Sequence, residues 1–229
     1  MNHKTKYFFI VFFLGILFSN SQEDTGNWIM YFGTNKISDK LSIHSELQYR
    51  NHTISPTNIE QLLLRTGLNY HIKPHASATI GYAHIGNHTY ESNRKSPEVE
   101  EHRIWQQFLI TNKIGRIKFE HRYRIEERFI EKDFKTRFRY RIMLFYPLNR
   151  KLLESGTIYL GVYDELFING GKTFFDRNRL YGGIGYKYSQ NIEFQIGLLR
   201  QEVQTSVKTF LQFGMILNTD FKKKNKYKP

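Results

Sequence analysis

The sequence predicts an all-β fold, a single antiparallel transmembrane β-barrel of about 10–12 strands. Three observations lead to this prediction. Apolar and polar side chains alternate with a period of two along almost the whole chain, aromatic residues reach 16% of it, and short and long polar connections separate the alternating runs. A period of two sorts side chains onto the two faces of a strand, whereas on a helix the same spacing scatters them. No helical pattern and no domain linker interrupts the series, so we expect one domain of antiparallel hairpins.

Residues 1–21 are typical of a secretory signal peptide. They begin with the basic stretch MNHKTK, continue as the apolar run YFFIVFFLGILF and end with the small residues of SNS. This order matches the three regions of a signal peptide, and the apolar run is short of the roughly 20 residues that a spanning helix needs. We expect cleavage before Gln22, a barrel over residues 22–221 and a basic periplasmic tail over residues 222–229. An uncleaved anchor is the alternative.

Five alternating runs precede residue 115. Their apolar positions are Trp28, Met30 and Phe32; Leu41, Ile43, Ser45, Leu47 and Tyr49; Leu62, Leu64, Thr66, Leu68 and Tyr70; Ala78, Ile80, Tyr82 and His84; and Ile104, Gln106, Phe108 and Ile110. The connection at 72–75 is short and contains proline, and those at 51–58 and 86–101 are long and polar. Such spacing is typical of hairpins joined by tight turns on one side and loops on the other.

Six further runs follow, and the clearest covers residues 116–126, where every even position is charged. Their apolar positions are Ile117, Phe119, His121, Tyr123 and Ile125; Phe138, Tyr140, Ile142, Leu144 and Tyr146; Ile158, Leu160 and Val162; Leu180, Gly182, Ile184, Tyr186 and Tyr188; Ile192, Phe194, Ile196 and Leu198; and Val207, Thr209, Leu211, Phe213, Met215 and Leu217. None of the apolar positions in the eleven runs is charged, although 24% of the chain is. Single-chain bacterial barrels have an even number of strands, so we expect ten or twelve strands, with one strand unrecognised or the segment 22–30 not spanning.

The apolar faces are predicted to point towards lipid. Several runs hold the pattern for about ten residues, the length of a tilted membrane strand, and Tyr49, Tyr70, Tyr146 and Tyr188 end apolar faces, as interface aromatics do. The last run closes on an aromatic residue in FGMILNTDF, which favours insertion by the barrel-assembly machinery. We therefore expect a protein of the bacterial outer membrane in contact with outer-membrane lipid. A soluble periplasmic ligand-binding barrel, with its apolar faces inside, is the alternative.

Three stretches resemble a known family. RFRYRIMLFYPL (137–148), YDELFING (163–170) and FDRNRLYGGIGYK (175–187) are similar to the Gram-negative outer-membrane β-barrel family catalogued as domain of unknown function 2490. The resemblance extends over essentially the whole chain after the signal peptide. It implies an outer-membrane β-barrel of unassigned biochemical role and supplies no catalytic residues.

The charged faces predict a cluster in the lumen of a chain whose formal net charge is +13. Residues 116–126 and 137–141 are expected to form one hairpin, so that their charges are neighbours. The candidate cluster is Glu120, Arg122, Arg124, Glu126, Arg137, Arg139, Arg141, Glu165 and Arg179, and other polar faces add Glu46, Arg50, Arg65, Lys187 and Glu193. Two interpretations stay open: a ladder of Arg–Glu pairs that stiffens a structural or accessory barrel, or a narrow, mainly basic channel for an anionic solute. We expect Glu165 to pair with Arg179 across the loop 169–178.

No catalytic residue is expected, and the low-ranking alternative is an outer-membrane lipid-modifying enzyme. A lipid hydrolase needs a serine and a histidine within hydrogen-bond reach. His44 and Ser45 fall on opposite faces of their strand, and no G-x-S-x-G motif occurs.

Cofactors and metals are not predicted either. The histidines His71 and His75, and His84 and His88, have no specific metal-ligand spacing, and the chain has no cysteine. Nucleic acid is not an expected partner, because arginines and aromatic rings alternate between faces and share no stacking surface.

Overall fold

The computed structural model describes residues 25–90, 96–171 and 173–222, and over these residues eleven strands close into one barrel. The strands are β1 (Gly26–Lys36), β2 (Leu41–Asn51), β3 (Ile59–Lys73), β4 (Ala76–Asn87), β5 (Val99–Ile114), β6 (Ile117–Ile130), β7 (Asp133–Pro147), β8 (Thr157–Asn169), β9 (Phe175–Lys187), β10 (Ile192–Val203) and β11 (Ser206–Asp220). The predicted signal peptide and residues 223–229 of the predicted tail lie outside the described residues. Among the described residues, no helix is long and apolar enough to cross a membrane.

Neighbouring strands are antiparallel except at the closure, where β1 and β11 run parallel from Gly26↔Phe210 to Lys36↔Asp220. An odd number of strands that follow one another around a barrel forces one parallel pair. The expected even number is therefore wrong for the described barrel, and residues 26–30 belong to a paired strand. No run was missed: each of the eleven alternating runs corresponds to one strand.

The closure continues past the last strand. The Phe221 amide donates to the Lys36 carbonyl at 2.8 Å, and Lys222 Nζ lies 2.9 Å from Asp39 Oδ1 in the β1–β2 connection. This exposed hydrogen bond lowers the pKa of the Asp39 carboxyl and raises the pKa of the Lys222 amine. These contacts hold the end of β11 beside the end of β1 and the β1–β2 connection.

On β2–β11 the predicted apolar faces lie outside and the predicted charged faces lie inside, where the lumen also contains buried apolar and aromatic side chains such as Met143, Tyr163 and Phe210. Outward residues such as Leu64, Ile80 and Ile184 are 49%, 57% and 53% exposed. In β1 the predicted faces are reversed: Trp28 is buried in the lumen and Ile29 points outward. Trp28 packs against Phe210 of the parallel partner strand, with ring centroids 4.8 Å apart, a contact that alternation within one run cannot show.

The two ends of the barrel differ. One end, here the loop end, carries the start of β1 and the connections 52–58, 88–98, 131–132, 170–174 and 204–205. The other, the turn end, carries the end of β11 and the connections 37–40, 74–75, 115–116, 148–156 and 188–191. The predicted separation of long and short connections holds only in part: 148–156 is a long connection at the turn end, and 131–132 and 204–205 are two-residue turns at the loop end.

The Trp105 side chain is buried in the lumen and packs against two glycines. Gly67 and Gly81 are direct cross-strand partners, and the Trp105 ring covers both. A Cβ atom at Gly81 would lie 2.6 Å from that ring and 2.3 Å from the Thr66 carbonyl oxygen. Only glycine leaves room here for the tryptophan between the strands.

Substitution Gly81→Val is expected to lower the free energy of unfolding by about 1–3 kcal/mol, the usual effect of overpacking a filled interior. Urea unfolding followed by tryptophan fluorescence measures the change. Gly171→Ala is the control, because nothing lies within 4 Å of a Cβ atom at that position. Equal midpoints for Gly81→Val and the parent protein would contradict this packing.

Candidate functional site

Glu126 lies at the centre of the lumen and is completely buried. Arg137 Nη2 donates to its Oε2 at 2.6 Å, and Arg139 Nη1 donates to its Oε1 at 2.6 Å. Three more guanidinium groups lie 3.7 Å from its carboxylate, those of Arg65, Arg103 and Arg124. One buried carboxylate thus lies among five guanidinium groups, and its single negative charge stabilises this centre without neutralising all of them.

The β6–β7 hairpin brings arginines together as well as pairing them. Its predicted formation is confirmed by the register, which sets Arg122 opposite Arg141 and Arg124 opposite Arg139. Like charges directly opposite each other are destabilising. Glu165 from β8 offsets this effect, because its Oε1 accepts from Arg122 Nη2 and Arg139 Nη2, both at 2.7 Å.

Two further carboxylates extend the network. Glu46 Oε1 accepts from Arg65 Nη1 at 2.8 Å, and Glu101 Oε2 accepts from Arg128 Nη2 at 2.9 Å. Glu101 also holds Arg103. The sequence predicts Glu101 in the loop 86–101, but β5 begins at Val99. Extending the alternation backwards through Arg103 would have assigned Glu101 to the lumen.

The expected Glu165–Arg179 ion pair does not form, although the two residues are opposite each other on β8 and β9. The Glu165 carboxylate is bound by arginines of β6 and β7 instead. Arg179 Nε donates to Gln201 Oε1 at 2.8 Å, and Arg50 Nη1 donates to Gln61 Oε1 at 2.7 Å. Neither Arg50 nor Arg179 forms an ion pair with a carboxylate of the described residues.

Both of these arginines lie against one aromatic ring. The guanidinium carbon of Arg50 is 4.0 Å from the Trp28 ring centroid, and that of Arg179 is 4.7 Å from it. The Trp28 Nε1–H group is buried and has no acceptor among the described residues. Two guanidinium groups therefore share the face of one indole ring, and Glu60 lines the same space with a buried oxygen that has no hydrogen bond among the described residues.

These groups line a cavity of about 460 Å³. Ten arginines line it against four glutamates: Arg50, Arg65, Arg103, Arg122, Arg128, Arg137, Arg139, Arg141, Arg177 and Arg179, and Glu46, Glu60, Glu101 and Glu165. The nearby Glu120, Glu126 and Asp176 do not bring the numbers into balance. Asn87, Val99 and Ile130 also line the cavity, and since each of them starts or ends a strand there, the cavity reaches the loop end.

Hydrogen-bond donors are in surplus in the same space. Besides the Trp28 indole, Arg65 Nε, Arg122 Nε and Arg141 Nε of the cavity lining are buried without an acceptor among the described residues, whereas Glu60 Oε2 is a buried acceptor of the lining without a donor. Buried polar groups in proteins are generally satisfied. A lumen rich in unused donors and positive charge has the chemistry to accept an oxyanion.

A serine–histidine contact at the turn end was not predicted. Ser42 Oγ lies 2.8 Å from His71 Nε2, and Asn69 Nδ2 donates to the same oxygen at 2.9 Å. Ser42 and His71 line a second cavity of about 550 Å³. The β2–β3 register that places Ser42 opposite Asn69 could have revealed the contact, since both residues belong to predicted polar faces.

The pair considered from the sequence takes other partners. His44 Nε2 lies 3.0 Å from Glu46 Oε2 inside the lumen. Ser45 Oγ accepts from Asn35 Nδ2 at 3.2 Å. The two side chains therefore have separate hydrogen-bonding roles.

Comparison with known proteins gives one match. A family model described as a protein of unknown function (DUF2490) matches residues 25–212. No curated protein and no solved structure matches the chain. The matched range begins just before β1 and ends within β11, so it includes the strands that supply the central arginines and glutamates.

Proposed function

The chain belongs to the DUF2490 family of proteins of unknown function, and on this premise we propose that it is an outer-membrane β-barrel that binds small oxyanions in a basic lumen and admits them through a narrow path from the loop end. The observation that carries the proposal is the position of Arg50 and Arg179 over Trp28 without a carboxylate partner. Arginine favours this chemistry because its planar guanidinium matches the geometry of phosphate and carboxylate groups.

The outer surface supports the membrane part of the proposal. Large apolar side chains are exposed on strand after strand, whereas the interior contains buried charges. Soluble proteins rarely expose contiguous apolar patches larger than a few hundred Å². An apolar exterior with a polar interior is the arrangement of barrels that span membranes, and the predicted signal peptide agrees with export.

The charge balance of the lumen favours an anion over a purely structural network. A ladder that only stiffens the barrel would need about one carboxylate for each arginine, because an unpaired buried charge is destabilising. Arginines exceed carboxylates around the cavity even with the nearby acidic residues included. Field lines concentrate in a narrow low-dielectric space, which raises the local concentration of solutes of opposite charge.

Reconstitution of the purified protein tests the proposal. We expect stable insertion into liposomes, phosphate binding by calorimetry, and a current in planar bilayers whose reversal potential in a KCl gradient shows anion preference. Added phosphate should reduce the chloride current. Protein that stays in the aqueous supernatant would contradict the membrane assignment. A cation preference, or a barrel with neither current nor phosphate binding, would contradict the anion assignment.

The Ser42–His71 contact favours lipid hydrolysis as a second candidate function, because a serine hydroxyl next to an imidazole is the core of an activated nucleophile. Two observations oppose this function: Ser42 is fully buried, and its Oγ already accepts a hydrogen bond from Asn69 Nδ2. Fatty-acid release from the same liposomes measures this activity. Release that Ser42→Ala abolishes would establish the hydrolase, and the absence of release would leave Ser42 as part of a polar hydrogen-bond network.

A further inference from the structure

Three metal-ligating side chains meet on the outer wall of the barrel, near the loop end. His84 of β4 is directly opposite His102 of β5, and Glu100 precedes His102 by two residues on the same face of its strand. One potential ligand atom from each of the three residues lies within 4.8 Å of the others. In the sequence His84 is near His88, but the β4–β5 register brings it opposite His102.

The hydrogen bonds of these side chains leave ligand atoms free. His84 Nε2 lies 3.9 Å from Glu100 Oε2, a distance too long for a hydrogen bond. The Glu100 side chain is 58% exposed. The three groups therefore do not satisfy one another, although the His84 and His102 ring centroids are only 5.1 Å apart.

Tyr82 orients one of the imidazoles. Its hydroxyl forms a hydrogen bond with His102 Nδ1, and its ring stacks on the His102 ring. When Nε2 of a histidine binds a metal, Nδ1 carries the proton and donates it to a neighbouring oxygen, which fixes the ring. The Tyr82 hydroxyl supplies this oxygen and leaves His102 Nε2 directed away from it.

We propose that His84, Glu100 and His102 form a binding site for a divalent transition metal, with Zn²⁺ as the best-matched ion. Two imidazoles and one carboxylate are ligands that Zn²⁺ accepts. In a tetrahedral zinc site with bonds of about 2.0–2.1 Å, two ligand atoms are about 3.3 Å apart. The three ligand atoms here lie within 4.8 Å of one another, so modest side-chain rotations bring them to the distance that zinc requires. The fourth position faces the outside of the barrel, near the loop end of the wall. The site is independent of the lumen.

Calorimetry and competition with a chromogenic chelator, on tag-free protein in detergent titrated with zinc chloride, test the site. We expect one Zn²⁺ per barrel and a loss of affinity of roughly tenfold or more in His102→Ala and His84→Ala. Glu100→Gln should weaken binding, and Tyr82→Phe should do so by about 10–100-fold, the usual effect of removing such a partner. Affinity should also fall as the pH falls, since the ligands bind metal in their deprotonated forms.

His121→Ala is the matched control. His121 also lies on the outer wall and its Nδ1 is 2.9 Å from the Tyr140 hydroxyl, but it belongs to no metal-ligand cluster among the described residues. Zinc affinity should be unchanged in this variant. Absence of stoichiometric binding, equal affinity in His102→Ala and the parent, or equal losses in His102→Ala and His121→Ala would each overturn the proposal.

Discussion

Glutamine in place of Glu126 is expected to lower the free energy of unfolding of the barrel by about 3–5 kcal/mol, the usual effect of removing one partner from a buried charge pair. Glu126 accepts hydrogen bonds from Arg137 and Arg139 and has three more guanidinium groups 3.7 Å away. Glutamine keeps the shape but removes the negative charge, so the arginines are left to repel one another in a space with little water.

Urea unfolding of the protein in detergent measures this loss. Glu154→Gln is the control, because Glu154 forms an ion pair with Arg150 at 3.2 Å in which both side chains are about half exposed. Exposed pairs of this kind contribute about 0–1 kcal/mol. The double variant Glu126→Gln/Arg139→Gln should be less unstable than the two single losses added together, because each substitution removes the partner that the other leaves unpaired. A loss below about 1 kcal/mol in Glu126→Gln would show that the lumen is better hydrated than its burial indicates.

Much of this centre is predictable from the sequence, because alternation assigns a face to each residue. The sequence assigns the even positions of 116–126 and the odd positions 137–141 to the lumen, and hairpin connectivity predicts that the charges of these two runs are neighbours. The apolar exterior of β2–β11 follows from the same rule. The rule works because a strand in a barrel has only two environments, and a shift by one residue would reverse every side chain.

Partner choice across the lumen is what the sequence could not predict. Glu165 is opposite Arg179 in the register, but it binds Arg122 and Arg139, and Arg122 lies on a strand that is not adjacent. Long arginine side chains reach across a curved wall, so the direct cross-strand neighbour is only one of several partners in reach.

Contacts that depend on barrel closure or on hairpin register could not be predicted from the sequence either. The reversed faces of β1 result from the contact of Trp28 with β11, and closure is a property of the whole strand set. The Ser42–His71 and His84–His102 contacts depend on the register of one hairpin, which a single run does not determine. Register follows from turn geometry and from packing on the opposite face.

The arginines of the lumen fall into two groups, those that form ion pairs with glutamates and those that do not. Glu126 and Glu165 bind the central guanidinium groups, and these ion pairs join β6, β7 and β8 across the lumen. Arg50 and Arg179 form no ion pair with a carboxylate of the described residues, and glutamine side chains and the Trp28 ring are their partners instead. The first group should therefore govern stability and the second should govern binding, which makes the two roles separable by substitution.

The double substitution Arg50→Gln/Arg179→Gln is expected to lower phosphate affinity by roughly tenfold or more, since charge-assisted hydrogen bonds contribute about 1.5–3 kcal/mol each. It should also reduce the anion preference of any current. Calorimetric titration with phosphate and reversal potentials in a KCl gradient measure the two effects. Arg116→Gln/Arg150→Gln is the matched control, because it removes two positive charges at the turn end; Arg116 there donates to the Pro147 carbonyl at 3.0 Å.

The stability of the Arg50→Gln/Arg179→Gln variant decides between the two roles of these arginines. An unpaired buried guanidinium is destabilising, so its removal should leave the free energy of unfolding unchanged or raise it. Loss of phosphate binding with retained stability is the expected result and would identify Arg50 and Arg179 as ligand-binding residues. A stability loss as large as that of Glu126→Gln would show that they belong to the structural network. Unchanged phosphate affinity would place the anion elsewhere in the lumen and contradict the assignment of Arg50, Arg179 and Trp28 as its site.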